Sequence, residues 1–304
     1  MEPNVRFWMT ECQSFFQRCL QWTELLDPTN LFISISKIEK SRQLLLTNED
    51  GSIHDLQDKR ATVHPDSSKL IPSFFRPAAL LPFTAPMVFL SLVPVKSLKS
   101  IVLPQLSFCT YSTAFNVVNG NASYNRRPYE SILLGTGVIA STAFFGLFPR
   151  LLLMKSAVKN VFLRETLAAA ILTQVSAMNL AASRSFEPIR GIEVMDKEGN
   201  VVGYSRKAGT KAVSDTATSR VVLFGTSAFI PEVFSHFFKK TPLFVRYPQS
   251  LWTLKLSCTI LVMGLMVPVS FSMFPQIQRI QCSKLEQEIQ SATEETELFY
   301  NRGV

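Results

Sequence analysis

The sequence predicts an all-α fold: a multi-pass transmembrane helical bundle of about five spans plus one broken or re-entrant segment, with an N-terminal amphipathic helical region. Three observations predict it. Apolar residues make up 47% of the 304 positions and charged residues only 18%, well under the roughly 25% usual in soluble domains. The charges are not spread evenly but gather between long neutral runs. Each of those runs approaches the ~20 residues of helix that a ~30 Å hydrocarbon core requires.

Residues 1–76 form a first region of mixed character. Val5, Trp8, Cys12, Phe15, Phe16, Cys19 and Leu26 recur at three- or four-residue steps, the pattern of an amphipathic helix. Such a face packs on its own domain or lies along a membrane surface. Asp27-Pro28 ends it, because proline disfavours helical geometry in the residue before it. A second helix is expected from Ser36, where Glu39 completes a capping box, through Arg42 and Leu45 to a turn at Asn48-Glu49-Asp50-Gly51.

The transmembrane domain is expected over 77–278. Pro77–Val95, Ser131–Pro149, Thr166–Ser183, Val221–Pro231 (continuing past Glu232 to Phe238) and Leu256–Gln278 carry no other charge. Five such helices are hard to bury in water, since a soluble helix keeps a polar face. Ser100–Asn125 is also uncharged, but Asn116, Asn119, Asn121 and Asn125 crowd its second half around Gly120. Amides facing lipid are costly, so this stretch reads as a broken or re-entrant helix, or as a span ending near Gly120. Prolines 82, 86 and 94 in the first run, Pro231 in the fourth and Pro268 in the fifth each free a carbonyl and favour broken helices. Lys and Arg are abundant in all loops, which leaves orientation open; an odd count of spans would place the termini on opposite sides. Residues 191–205 read as two short strands about Asp196-Lys197-Glu198-Gly199-Asn200, either a surface hairpin between spans or a ligand loop. The tail, 279–304, continues a pattern of Ile277, Ile280, Leu285 and Ile289 that predicts an amphipathic helix.

The net charge of +8 comes from basic residues scattered between apolar runs. No stripe and no nucleic-acid-binding motif accompanies them, so no nucleic acid is expected as partner; a lipid bilayer is. The five cysteines are odd in number and widely spaced without a C-x-x-C, and His54 and His236 have no ligands near them. Neither a metal site nor any other cofactor is signalled. The N-terminus has neither a secretory signal nor an Arg-rich, acid-poor presequence, since Glu2, Glu11 and Glu24 interrupt it. Nucleophile elbow, phosphate loop and zinc-protease motifs are all absent, and no acid pair lies within a span, so no enzyme is expected.

The neutral polar groups at membrane depth remain. Asn116 and Asn119 lie on one helical face with Ser112 and Thr113 a turn earlier, and Asn179, Ser176 and Thr173 line one face of another span. Amides and exposed helix ends can replace the hydration of an amino-acid zwitterion entering a bilayer. They can equally serve as hydrogen-bonded glue between helices. Asn116, Asn119, Asn179, Ser112 and Thr113, with Pro82 and Pro231 shaping the helices, are the candidate substrate-binding residues.

These pieces together resemble the sideroflexins, multi-pass proteins of the mitochondrial inner membrane, over nearly the whole chain. Asp27-Pro28 with Asn30 resembles the family's D-P-x-N, and His64-Pro65-Asp66 its H-P-D-T, with Ser67 in place of Thr. Arg76 and Pro82 fit the stretch that follows. Phe115-Asn116-x-Val118-Asn119 is similar to F-N-x-V-N. The most specific match is Gly191-Ile192-x-Val194-x-Asp196 with Gly199, Asn200, Gly203 and Ser205, then Ser219-Arg220; Phe274-Pro275-Gln276 and Asn301-x-Gly303 complete the series. The resemblance implies an inner-membrane carrier of a small neutral amino acid working by alternating access, with His64 and Asp66 in a hydrogen-bonded element at the membrane edge. Departures occur at Ser112-Thr113-Ala114 (for N-Q-S), Gly120-Asn121-Ala122-Ser123 (for Y-T-N-R), Leu80 (for Gln), Ser176 (for Asn) and Glu232 (for a second Pro). Lost amides count against serine itself as substrate. They also resemble a divergent vertebrate branch, which implies instead a membrane factor contacting respiratory complex I assembly intermediates or supporting iron–sulfur and iron homeostasis.

Overall fold

A computed structural model describes residues 14–34, 36, 70–93, 97–121, 128–156 and 160–304. The second helix expected through Arg42 and Leu45, the turn at 48–51 and the His64, Pro65, Asp66 motif lie outside the described residues.

Helix α1 is Phe15–Leu25, opened by a capping box in which Ser14 and Gln17 satisfy each other's backbone N–H groups. Asp27 then caps the 3-10 turn Pro28–Leu31, its carboxylate accepting from the Thr29 N–H at 2.8 Å. Next comes α2 (Leu80–Leu92), preceded by the 3-10 turn Pro77–Ala79. The long helices follow: α3 (Leu98–Asn119), α4 (Pro128–Lys155) and α5 (Val161–Ser183). A short helix α6 (Phe186–Arg190) leads to strands β1 (Ile192–Met195) and β2 (Val201–Ser205). Helix α7 (Arg206–Phe238), the short α8 (Pro242–Arg246) and α9 (Pro248–Ser272) come next. The chain ends with β3 (Ile277–Gln281), α10 (Gln287–Ala292) and β4 (Glu297–Asn301).

Five helices among the described residues, α3, α4, α5, α7 and α9, are long and apolar enough to cross a membrane. The fold is therefore a multi-pass membrane bundle, as the sequence predicts, with two exchanges of role. Of the two readings of the asparagine-bearing stretch, the span ending near Gly120 is the one that forms: α3 runs continuously through Pro104 and stops at Gly120. The first uncharged run gives only the thirteen residues of α2, because Pro77 and Pro82 fix its opening and the chain extends at Val93. Pro231 and Pro268 break nothing, since α7 and α9 run straight through them.

Each helix packs on its sequence neighbours, α2 on α3, α3 on α4, α4 on α5, α5 on α7 and α7 on α9. Contacts of α2 with α9 close the ring, and α3 also touches α5, which leaves α4 on the outside. The outer face of α4 exposes Ile132, Leu133, Phe144, Phe145, Phe148 and Leu152, an apolar surface that acyl chains solvate and water does not.

Contacts at the helix ends fix the direction of α2. At one end the Asn119 amide donates to Phe75 O at 2.8 Å, and at the other Lys255, at the start of α9, donates to Leu92 O at 3.3 Å. Helix α2 thus runs the depth of the bundle as a sixth, shortened element. As a result α1 and the tail meet at one end: Arg18 Nε donates to Ser272 O at 2.9 Å, and the Trp22 and Phe271 rings pack edge-to-face at 4.8 Å. The described part of α1 and the tail thus share one end of the bundle; α1 packs on α9 through Arg18, Trp22 and Leu25, while Phe15 and Phe16 of the expected apolar face are exposed.

The tail is a further correction. It is no amphipathic helix but the second half of a four-stranded antiparallel sheet ordered β2-β1-β4-β3, with the 3-10 turn Cys282–Lys284 and the six residues of α10 between its strands. Val194 pairs with Tyr300, and Gln278 also pairs with Tyr300 from the other side. The hairpin expected at 191–205 forms, with Ile192 opposite Ser205, but joins this sheet. Its apolar side (Ile192, Val194, Leu298, Ile280) packs with Ala208 and Ala212 of α7.

Candidate functional site

Polar side chains inside the bundle fall into two groups. The first is a seam between α3, α4 and α5 centred on Asn179, which is fully buried. The Asn179 amide nitrogen lies 2.8 Å from Thr113 Oγ1, 3.3 Å from Thr142 Oγ1 and 3.2 Å from Cys109 O, while its oxygen accepts from Asn116 Nδ2 at 3.2 Å. Three helices are tied at one side chain. The sequence places Asn116, Thr113 and Asn179 as candidates, and the structure joins them; Thr142, which the sequence does not single out, completes the group.

The remaining candidates lie elsewhere. Asn119 takes no part in the seam: it donates to Phe75 O at 2.8 Å and to Phe115 O at 3.0 Å. Ser112 is buried, and its hydroxyl meets no partner among the described residues. Ser176 bonds back to Thr173 O at 2.7 Å and Thr173 to Ala169 O; Thr173 lines a separate cavity of about 500 Å³ between α5 and α7. Pro82 is exposed on the outer face of α2 and touches no part of the seam. Pro231 is buried beside Glu232, whose carboxylate forms a buried ion pair with Lys255 at the far end of the bundle.

The second group lies where the helices meet the sheet. Arg184 and Glu187, both fully buried, form a two-bonded pair at 2.6 and 2.7 Å. Arg184 also donates to Thr216 Oγ1 at 3.2 Å and to Arg302 O at 2.5 Å, and Glu187 accepts from Asn121 N and Nδ2. The i,i+3 spacing of Arg-Ser-Phe-Glu carries the signal for this pair. Gly303 makes the approach of the tail possible. Its φ of +72° suits glycine, and a Cβ there would sit 2.8 Å from Arg184 Nη2. Arg302 donates to Phe271 O at 3.1 Å; burial, with Arg184 adding to it, brings its pKa down to about 10.

The motif residues act as joints. Arg76 is buried and its guanidinium donates to Asn30 O at 2.6 Å and to Leu31 O at 3.3 Å, tying the Asp27-Pro28-x-Asn30 turn to the start of α2; burial lowers its pKa. Gly191 (φ +88°) ends α6 and starts β1. Asp196 accepts from Asn200 N and Nδ2 at 2.8 and 2.9 Å, with Gly199 in the turn between them.

Fold and interior polar seam together define a polytopic helical membrane protein. The profile of the family described as Sideroflexins matches residues 4–304. The chain belongs to the sideroflexin family. It is 74% identical to sideroflexin-4 of Bos taurus over the whole of both chains, and 59% identical to sideroflexin-4 of Homo sapiens over all of this chain and 93% of the other. Sideroflexin-5 of Homo sapiens is 27% identical over 96% of this chain and 90% of its own. No solved structure matches.

Proposed function

We propose that this chain is a carrier of the mitochondrial inner membrane that moves a small neutral amino acid or related metabolite. The supporting observation is the Asn179 seam. Its amides and hydroxyls bond one another across three helices, and each of those bonds can be exchanged for one to a zwitterion at little net cost. Because Asn116 spends its amide nitrogen on Asn179, substrate must separate α3 from α5 at this point, which couples binding to the helix movement that alternating access needs. The test is uptake of a labelled amino-acid panel by vesicles containing the purified chain. Uptake of at least one neutral amino acid is expected, and Asn116→Ala abolishes it. Absence of uptake by the unaltered chain overturns the reading; normal uptake by the variant removes Asn116 from the path.

A second reading, a non-transporting factor that supports respiratory complex I assembly, is favoured by a different observation. Strand β2 is an open edge of the sheet and exposes Val201 and Tyr204, a surface on which another chain can add a strand. It predicts loss of complex I intermediates on native gels when β2 is blocked by Val201→Pro. Altered amino-acid pools with intact complex I count against it.

A further inference from the structure

The least compensated charge among the described residues is Arg220 on α7. It is 3% exposed, and both terminal nitrogens of its guanidinium are buried with no hydrogen-bond partner among the described residues. Its neighbours are aromatic. The guanidinium carbon lies 4.6 Å from the centroid of Phe271 and 5.6 Å from that of Phe115. Ring faces attract the cation but accept none of its in-plane hydrogen bonds, so a buried guanidinium there keeps its donors unmade. The charged groups around it make the deficit larger. Arg184 and Arg302 are the nearest cations, and Arg302 converges on the same residue by donating to Phe271 O. Glu187 is fully engaged by Arg184 and Asn121, and Asp215 is held by Gln278 at 2.9 Å. Arg302 itself keeps a buried Nε without a partner. Two arginines that both contact Phe271 therefore keep buried donors unmade, and a buried cation requires an anion. That place adjoins the seam, because Phe115 precedes Asn116 on α3.

We infer that Arg220, with Arg302 beside it, binds the carboxylate of a small organic anion or zwitterion, so that a carboxylate is the obligatory element of the ligand this protein recognises. The inference rests on the carrier reading for the ligand's passage, but not for its binding. A guanidinium held between two rings presents its edge to a carboxylate, which accepts two parallel bonds. The flanking rings suit a ligand with a short apolar side chain.

The test uses the purified full-length chain in detergent and follows thermal unfolding with L-alanine, propionate (carboxylate only), ethylamine (amine only), L-alanine methyl ester (carboxylate masked) and inorganic phosphate, at constant ionic strength. The expected result is that alanine and propionate raise the unfolding temperature while ethylamine and the ester do not, and that Arg220→Gln weakens both responses at least ten-fold, Arg220→Lys less. Stabilisation by ethylamine equal to that by propionate, stabilisation by phosphate alone, or an undiminished response in Arg220→Gln overturns the inference. If Arg220→Gln does not fold, the unaltered chain's panel and Arg302→Gln decide in the same way. Uptake measured on the same preparations separates the two readings. Carboxylate binding without uptake removes the carrier and leaves this site. Uptake that Arg220→Gln leaves unchanged removes this site and leaves the carrier.

Discussion

Glu286, in the C-terminal tail, closes the N-terminus of α7 at Lys207, 79 residues away in sequence: its Oε1 accepts from the Lys207 N–H at 3.0 Å. The same oxygen accepts from Arg206 N at 3.0 Å, and Oε2 from Ser205 Oγ at 2.7 Å. A carboxylate there satisfies orphan donors and meets the positive end of the helix dipole. Burial pushes its pKa up, but the bonds from Ser205, Lys207 and Arg206 outweigh it and the net shift is downward. A depressed folded pKa means stability that is present above the unfolded value, ~4.3, and is lost as pH falls through the folded value. Glu286→Gln is expected to cost about 1 kcal/mol at pH 7 and to flatten the decline of stability below about pH 4.5. Thermal unfolding at pH 7 and pH 4 reads both; a variant indistinguishable from the parent at pH 7 shows that the cap contributes nothing.

Asn179 and Asn116 share a bond but not a burden. Asn179 engages four groups, whereas the described bond of the Asn116 side chain is the one to Asn179. Asn179→Ala leaves several polar atoms unpaired inside the bundle and is expected to destabilise by about 2 kcal/mol. Asn116→Ala should cost nearer 0.6 kcal/mol, the mean for one interhelical bond in a membrane. Denaturant titration of both variants in mixed micelles gives the order, and a reversal places the hub of the seam at Asn116.

How far this was readable from sequence depends on how local each signal is. The hairpin at 192–205 was legible because alternation and the Asp196–Asn200 turn lie within one short segment. The tail was not. Ile277, Ile280, Leu285 and Ile289 have near-helical spacing, but the strand partner of Tyr300 is Val194, over a hundred residues away, and tertiary pairing overrode the period. Uncharged runs located the long helices but misjudged their ends. Arg220 and Lys255 fall just outside the runs beginning at Val221 and Leu256, yet the structure buries both. Asn119 and Asn116 share a face by spacing, and only the position of Phe75 shows that they serve different contacts.

Glu232 and Lys255 test how charge is tolerated at the opposite end. The pair joins α7 to α9 with both side chains buried, and Lys255 also donates to Leu92 O, the last residue of α2. Removing one partner leaves an uncompensated buried charge, so Lys255→Met should destabilise by about 3–5 kcal/mol. The double variant Glu232→Gln/Lys255→Met should recover most of that loss. Unfolding measurements on the four-member cycle decide it. Additive losses mean that the two charges do not depend on each other, Lys255 being solvated instead in the adjoining cavity of about 510 Å³ that it lines with Glu165.

The path of α2 bears on whether the two termini share one side of the membrane. With its preceding 3-10 turn it covers residues 77–92, about 24 Å at ~1.5 Å per residue, against a hydrocarbon core of ~30 Å. Local thinning of the bilayer accommodates a mismatch of that size at a fraction of a kcal/mol per Å. Since Phe75 meets Asn119 and Leu92 meets Lys255, α2 is expected to add a sixth crossing to the five of the long helices, and an even number would return the chain to its starting side. The contacts of Arg18 with Ser272 and of Arg76 with Asn30 require the same outcome. Tags fused to the two termini are therefore expected to be digested together, or protected together, when sealed membranes of one orientation are treated with protease. Digestion of one with protection of the other means that α2 does not cross.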